Sequence, residues 1–171
     1  MLFERDGTLI RDVSCNGDPA MVQPAGGIRA ALALLRAAGV ALGVVSNQPG
    51  VARGQIGREQ VEAVQSRTEA LLGPFDLWAV CPHGPHDGCG CRMPGAVLVA
   101  EACRALDLAP PLVTVIAGRS AAIEAALSAG AHAIRVPEPD LPAVGPCPPC
   151  TLSACRTAEC PEAAAELLLT R

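Results

Sequence analysis

Apolar positions along the chain switch between two periods, and the switching predicts most of its elements. Over 26–39, GGIRAALALLRAAG places apolar residues at three- and four-residue intervals, as one face of a helix does, and stops at Ala38-Gly39. VALGVVSN (40–47) is then continuous in its apolar residues, the form of a parallel strand covered on both faces. REQVEAVQSRTEALLG (58–73) predicts a helix, FDLWAVCP (75–82) a strand and GAVLVAEACRALDL (95–108) a helix. LVTVIAG (112–118), SAAIEAALSAG (120–130) and AHAIRV (131–136) follow as strand, helix and last short strand, while Leu2-Phe3 is a strand fragment running into an acidic loop. Strands alternating with helices of this length predict right-handed crossovers and an α/β fold with a doubly wound parallel sheet. Ligands in such folds sit at the carboxyl ends of the strands, where Glu4, Ser46 and Gly118 fall.

The pattern divides the chain into a main domain over 1–136 and a Pro- and Cys-crowded extension over 137–171. The extension reads as an appended loop region that closes with a short helix in PEAAAELLLTR (161–171). At 171 residues, half of them hydrophobic, the chain is long enough for one well-filled core.

Charge excludes some partners. A net charge of -4 with scattered arginines leaves no basic stripe for a nucleic-acid backbone, and no apolar run nears the roughly 20 residues of a membrane span. MLFERDGT lacks the charged-then-apolar order of a signal peptide, so the expected location is the cytoplasm; the sequence leaves the state open between a monomer and a weak oligomer. All 13 basic residues are Arg, which rules out any mechanism requiring a Lys.

Cysteine spacing adds a metal. Cys81, His83, Cys89 and Cys91 form C-x-H-x₅-C-x-C, four soft ligands in eleven residues, with Gly and Pro between them to let the loop fold back on a tetrahedral ion. Four protein ligands leave no water position, so the expected role is structural zinc. His86 and Asp87 read as solvated. In the extension, Cys147, Cys150, Cys155 and Cys160 give C-x₂-C-x₄-C-x₄-C, which fits a second metal, disulfides, or cysteines used as small hydrophobes. Cys15 and Cys103 are given no metal role.

Four stretches together resemble the haloacid dehalogenase superfamily, and within it the small phosphatases acting on heptose bisphosphate or histidinol phosphate: ERDGTLI, GDPAMVQP, VVSNQPGVARG and CPHGPHDGCGCR. The resemblance runs to about Val136 and implies a Rossmann-like three-layer sandwich, with zinc on the same four loop residues. It implies further that the position of Glu4 carries a nucleophilic Asp attacking phosphorus, and that Asp6 protonates the leaving oxygen and later activates water. Ser46 matches the phosphoryl-binding Ser or Thr. Asn47, Gln48 and Arg53 keep the family's pattern, and Arg92 adds a second guanidinium suited to a phosphoryl ligand.

Three motifs depart from that pattern together. Glu4 replaces Asp, Met93 stands where the family has Lys, and Ala117-Gly118 and Ala122 stand where it has Gly-Asp and a later Asp that complete a Mg²⁺ site. Glu124 is helical and two residues further on. A Glu moves the carboxylate outward by about 1.5 Å, and a displacement near 1 Å can cost about a hundredfold in rate. Loss of a stabilising cation costs another factor of about a hundred to a thousand. Mg²⁺ prefers octahedral oxygen ligands, so a site reduced to Glu4, Asp6 and a carbonyl should bind it poorly. The expectation is therefore a catalytically degenerate phosphatase homologue that binds a phosphorylated sugar or a partner protein through the old pocket. The alternative is a slow Mg²⁺-dependent phosphomonoester hydrolase using Glu4 and Asp6.

Overall fold

The computed structural model describes residues 1–137 and 154–170. Six strands form one parallel sheet: β1 (Leu2–Glu4), β2 (Gly43–Asn47), β3 (Leu77–Cys81), β4 (Thr114–Ala117), β5 (His132–Arg135) and β6 (Cys155–Thr157). Their order is β3-β2-β1-β4-β5-β6. Five helices connect or flank them: α1 (Ile28–Ala37), α2 (Arg58–Leu72), α3 (Val97–Ala105), α4 (Ser120–Ser128) and α5 (Pro161–Leu169).

The period of two along each strand sorts side chains between two cores. Phe3, Val44, Ile116 and Ile134 enter the core covered by α1, α2 and α5, whereas their neighbours Leu2, Val45, Val115 and Ala133 enter the one covered by α3 and α4. The helices answer with their own period. In α1 the buried residues are Ile28, Ala31, Leu32 and Leu35, one apolar stripe. Register aligns Phe3 with Val44 on one side and Ile116 on the other, so the three-residue β1 is held at the centre of the sheet by both neighbours. Gly43 is needed beside it, because a Cβ there would lie 2.7 Å from Leu2 Cδ2.

The extension closes with its expected short helix, α5, and adds a strand that the sequence-based reading lacked. Cys155–Thr157 pairs in parallel with β5 as a sixth strand, and α5 packs on α1 with Ala164 and Ala165 fully buried. A three-residue strand among Pro and Cys carries too little periodicity to be recognised, and its pairing with β5 is what defines it. Cys155 is buried in the core of the α3–α4 face. Cys160 precedes α5 and its Sγ accepts from the Ala163 amide at 3.4 Å. Cys147 and Cys150 lie outside the described residues. Among the described residues, no helix is long and apolar enough to cross a membrane.

In this strand order the direction of winding across the sheet reverses between β1 and β4, and the crevice beyond their carboxyl ends is where such sheets place ligands.

Candidate functional site

The loop after β1 carries the two acids. Glu4 ends the strand and is buried, and Gly7 takes φ 78° to turn the chain back, so that the Leu9 amide reaches the Arg5 carbonyl at 3.0 Å. Two bonds tie this loop to the start of α4: the Gly118 amide donates to Thr8 Oγ1 at 3.1 Å, and the Arg119 amide donates to Glu4 Oε2 at 3.2 Å. The Arg119 guanidinium reaches further along the same loop and pairs with the Asp12 carboxylate.

Asp6 is engaged through both oxygens. Arg5 Nε donates to Oδ1 at 3.0 Å, and Gln48 Nε2 donates to Oδ2 at 2.8 Å. Gln48 Nε2 also lies 2.8 Å from Ser46 Oγ, and the Gln48 amide donates to the Cys81 carbonyl at 2.7 Å. One glutamine thus links the β1 loop, the end of β2 and the end of β3. Arg5 is 1% exposed, and its Nη1 has no hydrogen-bond partner. A guanidinium sealed inside the loop is unusual, because burying a charge is costly unless a carboxylate answers it. Here Asp6 does.

Other candidate residues have partners of their own. The Asn47 side chain holds the backbone of Met93, donating to the carbonyl at 2.9 Å and accepting from the amide at 3.1 Å. Met93 itself is 3% exposed and packs in the core of the α3–α4 face, so nothing at this position presents a charge. Arg92 Nη1 donates to the His83 carbonyl at 3.1 Å, which ties it to the cysteine loop. Arg53 donates through Nε to Gln55 Oε1 at 2.6 Å and through Nη2 to Cys15 Sγ at 3.2 Å. Ala117 and Ala122 are fully buried without a polar side chain. The residues joined around Glu4 and Asp6 therefore include Arg5, Gln48 and Arg119 besides Ser46. The sequence signals for the first two were present: an Arg set between two acids, and a Gln following the Ser-Asn of the second motif.

Cys81, His83, Cys89 and Cys91 converge at the end of β3, their ligand atoms all within 4.8 Å of one another. Cys91 Sγ lies 3.3 Å from both Cys81 Sγ and His83 Nδ1, and Cys81 Sγ lies 3.8 Å from Cys89 Sγ. A tetrahedral ion with bonds of about 2.3 Å to sulfur separates its ligands by about 3.8 Å. The cluster can hold a metal ion. Asp87 is not part of it: Oδ2 accepts from the Gly84 amide at 2.8 Å and closes the loop locally. Burial first, and then the Cys91 and Cys89 thiols, push the Cys81 thiol up to about 12, while the hydrogen bond from the His83 amide pulls against them. Cys89 goes the other way: desolvation raises it, but the Arg92 amide and the neighbouring thiols bring it below its ordinary value.

Comparison with known proteins agrees with this architecture. No family model matches the chain. It is 33% identical over 110 residues to the D-glycero-beta-D-manno-heptose-1,7-bisphosphate 7-phosphatase of Pseudomonas putida, covering 62% of this chain and 63% of that enzyme. It is 31% identical over 128 residues to the corresponding alpha-anomer phosphatase of Mycobacterium bovis, covering 70% of this chain and 66% of that enzyme. The chain thus spans about two thirds or less of the length of these relatives. The crystal structure of a D,D-heptose 1,7-bisphosphate phosphatase from B. bronchiseptica, complexed with magnesium and phosphate, superposes with a TM-score of 0.84 at 26% identity over 99% of this chain and 97% of that one. The chain belongs to the haloacid dehalogenase superfamily and is heptose bisphosphate phosphatase-like.

Proposed function

We propose that this protein is a phosphatase homologue that keeps a pocket for a phosphorylated sugar and has lost efficient hydrolysis. The observation that carries this reading is Met93: where the resembling phosphatases have a Lys, this chain has an apolar side chain 3% exposed and packed in the core of the α3–α4 face, and Ala117 and Ala122, both fully buried, offer no carboxylate.

Magnitudes support it. Displacement of the attacking oxygen by the longer Glu side chain costs about a hundredfold. A buried Met93 in place of a cation costs another factor of about a hundred to a thousand. These losses fall on separate steps of the geometry and multiply.

The cysteine–histidine loop suits zinc, whose preferred tetrahedral thiolate–imidazole set it provides without an open position. Zinc there would fold the loop and would take no part in bond breaking. Arg92, bonded to the His83 carbonyl, and Asn47, bonded to Met93, pass that rigidity to the pocket wall. Binding then falls to Ser46 and to the amides around it. Calorimetric titration of the zinc-loaded protein with D-glycero-D-manno-heptose 1,7-bisphosphate tests the reading. Saturable binding weakened at least tenfold by Ser46→Ala is expected, and no binding would overturn the ligand assignment.

A further inference from the structure

Arg5, Asp6, Gln48 and Ser46 form one unbroken line of side chains at the carboxyl ends of β1 and β2. Arg5 Nε donates to Asp6 Oδ1 at 3.0 Å, and the single nitrogen Nε2 of Gln48 reaches both Asp6 Oδ2 and Ser46 Oγ, each at 2.8 Å. Arg5, Gln48 and Ser46 are all buried, so water competes little for these bonds. The direction of each bond follows from what the groups can do. Asp6, paired with the Arg5 guanidinium, is a carboxylate and can only accept. Gln48 must turn its NH₂ toward Asp6, because its carbonyl oxygen there would set two acceptors against each other. That nitrogen has two hydrogens. With one committed to Asp6, the other is directed at Ser46 Oγ, which accepts it. A hydroxyl that accepts from one side keeps its own single proton for another partner.

We infer that Gln48 is a positioning residue: it fixes Ser46 as a hydrogen-bond donor and so readies the pocket for a phosphoryl oxygen, an acceptor that carries charge and no proton. Hydrogen bonds to a charged acceptor are roughly twice as strong as neutral ones, so a serine held in the donating sense matters most for such a ligand. This role of Gln48 rests on the phosphoryl pocket proposed for the protein and goes beyond it, since it names the residue that sets the pocket's polarity. It does not depend on whether turnover is lost.

Two variants separate this role from a merely structural one. In the exchange Asp6→Asn/Gln48→Glu, donor and acceptor trade places. The amide at position 6 still accepts from Arg5 Nε and now donates to the carboxylate at position 48, so the loop keeps its bonds and the pair its total charge. The last bond is reversed, because that carboxylate takes the Ser46 proton. Gln48→Met instead removes both donors and leaves the serine proton free to turn. Calorimetric titration of the zinc-loaded proteins with D-glycero-D-manno-heptose 1,7-bisphosphate is the readout. Gln48→Met should bind about threefold more weakly than wild type, and the exchange variant about tenfold more weakly or worse, like Ser46→Ala. A structural Gln48 gives the opposite order, with the exchange variant close to wild type and Gln48→Met the weaker. Zinc content and a cooperative melt establish that each variant is folded. That opposite order overturns the role of Gln48, as does Gln48→Met binding as tightly as wild type, whatever the exchange variant does. No binding by the wild-type protein overturns the proposed pocket and this role together.

Discussion

The side-chain amide of Asn47 satisfies both backbone polar groups of Met93, donating to its carbonyl at 2.9 Å and accepting from its amide at 3.1 Å. Asn47 ends β2, and Met93 lies two residues past Cys91, so the pair joins the sheet to the end of the metal loop. Removing it leaves two partly buried backbone groups without partners, each costing about 1–3 kcal/mol if water cannot reach it. Asn47→Ala should therefore lower the stability of the zinc-loaded protein by about 2 kcal/mol, read by urea unfolding. It should also speed zinc transfer to a chelator.

Zinc removal should unfold the loop while the sheet persists, because the sheet's two cores are built without metal ligands except Cys81 and its partly buried neighbours. Affinity should depend on pH in a defined direction. The Cys81 thiol is raised from 9.0 to about 12, so in the metal-free protein its bound proton contributes stability that is complete below pH 9 and is lost as the pH climbs toward 12. Zinc must displace that proton. Binding should thus tighten as pH rises through neutrality and release protons on loading, measurable by titration in buffers of different ionisation enthalpy.

Asp6 should matter for folding as much as for chemistry. Asp6→Ala leaves the Arg5 guanidinium buried without its carboxylate, and loss of one partner of a buried pair costs about 3–5 kcal/mol. The double variant Arg5→Met/Asp6→Ala removes the stranded charge and should recover most of that loss. A loss of activity in Asp6→Ala alone would accordingly say little about proton transfer, and the unfolding midpoint must be measured beside it.

The extension should be indispensable. Ala164 and Ala165 are fully buried between α5 and α1, so Ala164→Phe overpacks that contact and should cost about 1–3 kcal/mol by thermal melting.

The sequence pattern made the first five strands and all five helices legible, with ends shifted by a few residues: β2 begins at Gly43 where apolar continuity began at Val40. The sixth strand was not legible, since three residues set by pairing to β5 carry no period of their own. The cysteine–histidine cluster could be read from spacing because its four residues are local in sequence. The roles of Arg119 and Asn47 could not. Arg119 meets Glu4 across 115 positions, and Asn47 meets Met93 across 46, and only the strand order brings those loops together. Arg53 and Arg92, expected near a phosphoryl ligand, bond in the fold to Cys15, Gln55 and the His83 carbonyl, partners that the sequence did not indicate.

The central claim, a retained pocket without efficient hydrolysis, is tested most directly by phosphate release. Heptose 1,7-bisphosphate, histidinol phosphate and a generic aryl phosphate are each offered to the zinc-loaded protein, with and without saturating Mg²⁺, beside Glu4→Ala. The account predicts no release above that control for any of the three. Turnover present in the natural sequence and abolished by Glu4→Ala would contradict it, and would make Glu4 a working nucleophile.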